Sequence, residues 1–351
     1  MMKIYKDLFK KICSFQNLHL AYLKARRCKR YREEILRFSY NLERNLLNLR
    51  QELLSQTYWH GGYREFVVFE QKRRQIKAAP FRDRVVHHAL CHVIEPIFDK
   101  GFIDDSYACR KNKGTHKAIK RLEGFIKSAE SKSKKEEDKT DLYCLQCDVS
   151  KYFANIDHKI LLGLIKKKIA DRKAFWLVQK ILNSSYETKS GVGIPLGNLT
   201  SQLFANIYLN ELDQFVKHQL KEKYYLRYMD DFLILSFDKK KLHKIKNEIE
   251  EFLQRRLRLE LHPKKVNVFP INKSIDFLGY RIFSNYRLLR KSTIKRFIKR
   301  TKLYQKRLKK GLTSQEKFKN SLKSWIVYAE FGNSWRLRQD LSKRLKISLI
   351  K

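Results

Sequence analysis

Two adjacent aspartates, Asp230 and Asp231, lie between the apolar runs YYLRY and FLILSF, and no other feature restricts the fold as strongly. Two short runs of aromatic and aliphatic residues separated by so few positions read as a β-hairpin over Tyr225 to Phe237, with the carboxylates at its turn. Asp is common in turns, so a plain hairpin turn accounts for the pair on local grounds. Adjacent acids inside apolar strands are nevertheless costly unless a cation neutralises them. Hard oxygen donors suit Mg²⁺. Phosphoryl transfer by two metal ions needs such a pair and a third carboxylate from elsewhere. Leu142 to Val149 reads as a buried strand, and Asp148 near its C-terminal end is placed to supply that third group.

The charge balance says what such a site acts on. Net charge is +42, from 78 Lys and Arg against 36 Asp and Glu in 351 residues. This excess repels itself in a compact state and calls for a partner of opposite sign. Nucleic acid, with a phosphate at every nucleotide, is that partner. Basic membrane anchors are local, whereas here the positive charge runs the whole length. No apolar run is long enough to span a bilayer. Met1 to Phe15 has Lys and Asp spread through it and is no secretory signal, so a cytoplasmic location is expected. The six cysteines are expected as free thiols. Cys144 and Cys147 sit three apart on a strand, where they face opposite sides, which speaks against a shared metal or a redox pair.

Along the chain, Ile35, Phe38, Leu42, Leu46, Leu49 and Leu53 recur at helical spacing and predict one amphipathic helix. Aromatic and β-branched residues around Gly61-Gly62 predict a hairpin over Tyr58 to Phe69. Pro80 precedes a helix from Asp83 to Phe98. The charged, low-complexity stretch Lys127 to Asp141 is expected as a solvated loop. A helix from Asp157 to Ile169, capped by Asp157, follows the Leu142 strand. Ser190 to Gly197 is a loop, Thr200 to Leu220 a helix and Phe277 to Phe283 a short strand. Beyond Arg290 the chain is basic and helical, with Trp325, Tyr328 and Trp335 as apolar anchors.

CDVSKYFANIDH, GIPLGNLTSQLFANIYLNELD, YLRYMDDFLIL, LELHPKKV and FLGYRIF occur in this order. With them the chain resembles the reverse transcriptase family over most of its length. The resemblance implies an α+β right-hand polymerase fold. Its parts would be an N-terminal helical region (1–56), fingers (57–140), a palm with an antiparallel sheet (141–285) and a helical thumb (286–351). It implies two Mg²⁺ ions, with Mn²⁺ as a substitute, held by Asp148, Asp230, Asp231 and the backbone carbonyl of Val149. Phe153 matches the aromatic steric gate that excludes a 2′-hydroxyl; packing at a strand-to-helix junction is the plainer account of a Phe there. Lys72 and Arg74 match the cations that grip the incoming deoxynucleoside triphosphate, a task suited to Arg. The consecutive Lys72, Arg73 and Arg74 leave the choice among them open. Lys265, or Lys264 beside it, matches the lysine that protonates pyrophosphate. Leu196, Gly197 and Gln202 fall at the nucleotide-binding loop, and Phe277, Leu278, Gly279 and Tyr280 resemble the primer grip.

Many relatives read P-Q-G and then S-P where this chain has Pro195-Leu196-Gly197 and then Ser201-Gln202. In that respect, and in SWIVYAEFGNSWRLR, it is similar to the reverse transcriptases of diversity-generating retroelements. An aliphatic Leu196 removes a hydrogen bond that would police the nascent base pair; simple packing of Leu196 in its loop is the other account. The resemblance implies copying of a template-repeat RNA into cDNA with errors at template adenines. It also implies a small, basic, oligomeric accessory protein as partner, besides template RNA and primer or cDNA. A retron-like or phage-defence enzyme, and a catalytically decayed RNA-binding scaffold, are the other readings. A group II intron maturase is disfavoured by the expectation that the chain ends soon after its thumb.

Overall fold

The apolar periodicities become thirteen helices and nine strands among the described residues, 3–69, 73–133, 141–184 and 191–349 of a computed structural model. In chain order these are α1 (Leu8–Ile12), α2 (Phe15–Ala25), α3 (Glu33–Tyr40), α4 (Leu42–Leu54), β1 (Arg64–Phe69), β2 (Arg73–Ala78), α5 (Phe81–Asp99), α6 (Thr115–Ser133) and β3 (Tyr143–Asp148). Then come α7 (His158–Lys166), α8 (Arg172–Leu182), α9 (Leu199–Gln214), β4 (Tyr225–Tyr228), β5 (Asp231–Ser236), α10 (Lys239–Phe252) and β6 (Asn267–Pro270). The last part holds β7 (Ile275–Phe277), β8 (Tyr280–Ile282), β9 (Arg287–Leu289), α11 (Lys291–Lys309), α12 (Gln315–Glu330) and α13 (Trp335–Leu345). The strands form sheets β1-β2, β4-β5-β3-β6 and β7-β8-β9. No helix among the described residues is long and apolar enough to cross a membrane.

Two compact units divide the chain. The first comprises residues 1–112, 147–232 and 244–266. Its centre is α5, whose Val85, Val86, Ala89, Leu90 and Ile94 are fully buried, as an apolar stripe at helical spacing requires. It packs on α2 and α9. Asn17 of α2 is buried with them and satisfied: its Nδ2 donates to the carbonyls of Ile12 and Ala89, each at 3.0 Å. Pro80 stands at the N-cap of α5 with extended backbone, so the helix begins just after it, at Phe81.

Three expectations change in this unit. The stretch from Ile35 to Leu53 is two helices, because Asn41 leaves helical geometry (φ −116°, ψ 53°). Its break falls between Phe38 and Leu42, whose spacing of four conceals it. β1 pairs antiparallel with the later strand β2, Phe66 opposite Ile76, and not back across Gly61-Gly62. The residues between β1 and β2, Lys72 among them, lie outside the described residues. The helix expected to run to Leu220 is α9 followed by a wider, π-type turn over Phe215–Gln219.

The second unit comprises residues 113–146, 233–243 and 267–351. β3 pairs antiparallel with β6, Cys144 opposite Phe269. α6 covers the first part of the Lys127 to Asp141 stretch, which is therefore helical to Ser133; 134–140 lie outside the described residues. Its buried Ala118, Ile119, Leu122 and Ile126 give it an apolar face. The strand expected over Phe277 to Phe283 is a hairpin. Leu278 (φ 49°) and Gly279 (φ 93°) make a two-residue turn with positive φ at both positions, the kind that matches strand twist. Trp325 stacks on Phe297 at 3.7 Å and is buried, a burial of roughly 1.5–3 kcal/mol or more for a ring of that size. Trp335 is no anchor: it is 54% exposed, with Arg338 over its ring.

Candidate active site

β4 and β5 are the two arms of the expected hairpin, and Met229-Asp230 is its turn. Met229 has φ 59°, a left-handed conformation that a side chain adopts only under constraint. β5 lies between β4 and β3, so Asp231 at the start of β5 and Asp148 at the end of β3 adjoin the same edge. The Val149 N–H donates to the Asp230 carbonyl at 3.1 Å and ties the turn to β3. On the other side of β3, the His262 N–H donates to the Asp148 carbonyl at 2.7 Å and the Ser150 N–H to the Glu260 carbonyl at 2.8 Å. Asp148, Asp230 and Asp231 are all half-buried.

The electrostatics are those of crowded acids. Burial, and then the charge of Asp148, push the Asp230 carboxyl above its ordinary range, while Lys265 and Arg74 pull it back. The Lys265 Nζ donates to Asp148 Oδ2 at 2.5 Å. Lys265 thus lies at this edge, whereas the side chain of Lys264 is exposed. Asp148 engages this ammonium, and among the described residues no three carboxylate, imidazole or thiol side chains stand as a ready ligand set. In chemistry the donors fit a hard divalent cation, since they are carboxylates whose mutual repulsion a cation relieves. Asp148, Asp230, Asp231 and the Val149 carbonyl are the residues that would hold it.

Around this edge the remaining sequence candidates fall as follows. Phe153 is half-buried in a short 3₁₀ turn after β3, ring to ring with Tyr152 at 5.5 Å. Its carbonyl accepts from the Ile194 N–H at 2.8 Å, so it is coupled to the loop that carries Leu196. The Leu196 carbonyl in turn accepts from the Lys77 N–H of β2 at 3.0 Å. Gly197 has φ 120°, and a Cβ there would lie 3.0 Å from the Lys77 carbonyl oxygen. Asn198 Nδ2 donates to the Tyr63 hydroxyl at 3.0 Å. Arg74 is exposed on β2, opposite Val68. Gln202 is exposed on α9 and borders a pocket with Glu95, Cys109 and Arg110. Phe277, Leu278, Gly279 and Tyr280 belong to the second unit, where the Tyr328 hydroxyl donates to the Gly279 carbonyl at 3.1 Å. Cys144 and Cys147 are buried and not disulfide-bonded, and burial raises the Cys147 thiol.

Sequence reasoning missed Arg227 and Asp213. Their side chains are wholly buried and paired, Arg227 Nη2 to Asp213 Oδ2 at 2.6 Å. An arginine inside the apolar run YYLRY was the available signal.

A helix-backed antiparallel sheet that gathers aspartates at a hairpin turn and at the end of the next strand has the frame of a polymerase palm. Residues 67–282 match the reverse transcriptase (RNA-dependent DNA polymerase) family, and the chain belongs to that family. It is similar to the group II intron-encoded protein LtrA of Lactococcus lactis subsp. cremoris, with 26% identity over 72% of this chain and 51% of that protein. It is also similar to protein YkfC of Escherichia coli strain K12, with 26% identity over 67% of this chain and 70% of that one. Among solved structures it resembles telomerase from Candida albicans in complex with a fragment of telomeric RNA, at TM-score 0.50 and 10% identity. That match covers 67% of this chain and 47% of the other, and shows a shared fold alone. The chain spans about half the length of the first of these relatives. The family generally uses divalent metal ions.

Proposed function

We propose that the chain is an RNA-directed DNA polymerase that adds deoxynucleotides to a primer by nucleotidyl transfer. The observation that carries this reading is the turn at Asp230. Its carbonyl is tied to Val149, its carboxyl is raised by burial and Asp148, and the charges of Lys265 and Arg74 act on it in the opposite direction. Mg²⁺ bound there would activate the primer hydroxyl and stabilise charge on phosphorus. The chain's own groups do the rest. Arg74, with Lys72 and Arg73, would hold the triphosphate, Phe153 would exclude a 2′-hydroxyl, and Lys265 would protonate the departing pyrophosphate. The test is primer extension on a defined RNA template with Mg²⁺ and four deoxynucleotides, with every product sequenced. Template-encoded cDNA from the wild type and none from Asp231→Asn supports the reading; cDNA from both overturns the metal assignment.

The finer reading is an error-prone enzyme of a diversity-generating retroelement, working with template-repeat RNA and a small basic accessory protein. Leu196 supports it. The loop backbone is fixed to β2 at the Leu196 carbonyl, and an aliphatic side chain at that position would offer the nascent pair no hydrogen-bonding group. Errors concentrated at template adenines are expected, and an even spectrum sinks this reading. The likeness to a group II intron-encoded protein favours a second reading, a polymerase dedicated to a structured intron RNA. Faithful cDNA and preference for such an RNA would decide for it.

A further inference from the structure

Arg227 occupies the third position of β4, two residues before the catalytic turn, and its side chain has no exposure. Its Nε donates to Asp213 Oδ1 at 2.7 Å and its Nη2 to Asp213 Oδ2 at 2.6 Å, a two-pronged pairing with α9. Nη2 also donates to the Ser106 hydroxyl at 3.0 Å. Nη1 donates to the Met229 carbonyl at 2.9 Å and, more weakly, to Asn206 Oδ1 at 3.4 Å. Every N–H of the guanidinium thereby has an acceptor. The anchors are themselves fixed. Asp213 Oδ1 takes the Tyr225 hydroxyl at 2.7 Å, and Asn206 Nδ2 donates to the Ala108 carbonyl at 2.9 Å. The backbone of Arg227 is held on both sides, its N–H by the Asp105 carbonyl and its carbonyl by the Tyr107 N–H, each at 3.0 Å.

A buried ion pair is a poor device for stability, since apolar residues of similar volume often do as well. What an apolar pair cannot do is donate a hydrogen bond to the Met229 carbonyl. That carbonyl belongs to the residue with positive φ, where the backbone must be held to persist. The next carbonyl, of Asp230, is held from the other side by the Val149 N–H. The Asp230 carboxylate therefore hangs from a peptide pinned at both ends. We propose that Arg227, anchored by Asp213, is a positioning residue that fixes the Asp230 turn for nucleotidyl transfer. The role rests on the polymerase reading given above.

The test replaces the pair by apolar residues, Arg227→Met with Asp213→Leu, which keeps the core filled. The expected result is a folded protein with unchanged circular dichroism, KM for deoxynucleotide within about twofold, and kcat lower by about 10- to 100-fold, as a small misplacement produces. The Mg²⁺ concentration for half-maximal rate rises alongside. A folded double variant with wild-type kcat overturns the proposal and leaves the polymerase reading standing. If the double variant does not fold, Arg227→Lys decides. Lysine keeps the charge beside Asp213 but lacks the fork that also reaches Met229, so kcat falls at near-normal KM; wild-type kcat in that variant overturns the proposal. A wild-type enzyme that extends no primer on any RNA template would sink the underlying reading, and the proposal with it.

Discussion

Lys265 Nζ and Asp148 Oδ2 stand 2.5 Å apart, so an ammonium already sits at the aspartate edge. The same lysine pulls the Asp230 carboxyl down, against the rise caused by burial and by Asp148. Lys265→Met removes that pull, so Asp230 protonates at higher pH. The acid limb of the kcat/KM profile is expected to move upward in pH, and the plateau rate to fall about 100-fold if the lysine is the general acid. Lys264→Met should change neither; equal effects of the two substitutions would refute the assignment.

Asp230→Asn is expected to abolish synthesis and to stabilise the fold in metal-free buffer. A carboxyl whose folded pKa lies above its unfolded value subtracts stability once pH rises through that window. At pH 7 an amide there escapes the penalty. A gain of about 1 kcal/mol is typical when a strained catalytic group is removed. Thermal unfolding without divalent ions checks it, and a lower Tm than wild type counts against the crowding of acids at this turn.

Gly197→Ala places a Cβ 3.0 Å from the Lys77 carbonyl oxygen at a φ of 120°. Stability should fall by about 1–3 kcal/mol, and primer extension should drop with it, because the loop must leave β2. Unchanged Tm and rate would show that the loop accommodates the methyl group freely.

Leu196→Gln restores a hydrogen-bonding side chain beside the proposed base pair. Misincorporation opposite template adenine is expected to fall by about tenfold, near 1.4 kcal/mol of added discrimination. Sequenced cDNA reads it out, and an unaltered spectrum removes Leu196 from the explanation of infidelity.

His87 and His88 on α5 give the fold an acid limit. Burial lowers both, His87 well below its ordinary value and His88 to about 4. Their neutral forms support the fold fully above the unfolded pKa of about 6.5, and this support is lost as pH falls through the depressed folded values. Tm should therefore decline from about pH 6.5 toward pH 4, and His87→Gln should flatten the slope. An equal slope in that variant would locate the acid sensitivity elsewhere.

The hairpin over Tyr225 to Phe237, the strand ending at Asp148 and the Asp157 cap, which accepts from Ile160 N–H at 3.0 Å, were legible because each is local: alternation, length and a capping residue suffice. The N-terminal break at Asn41 was not, since one residue can leave the helix without disturbing a spacing of four. The pairing of β1 with β2 was hidden by glycines that resemble a turn but precede the strand. Within the site, the three aspartates stand out as acids in apolar runs. Arg227 with Asp213 could not be paired from sequence, because their contact depends on how α9 lies against β4. The preference for Lys265 over Lys264 likewise needed the register of the chain between His262 and Val266.

The Lys77–Leu196 backbone bond and the Tyr63–Asn198 side-chain bond fasten one loop to β2 and to the residue just before β1. Ribbon and loop would therefore move together. In the proposed enzyme, a swing of β2 that brings Arg74 onto a triphosphate drags Leu196 in the same stroke. Capture of the nucleotide and inspection of its base would share one clock, and a change that slows the first would slow the second by the same factor.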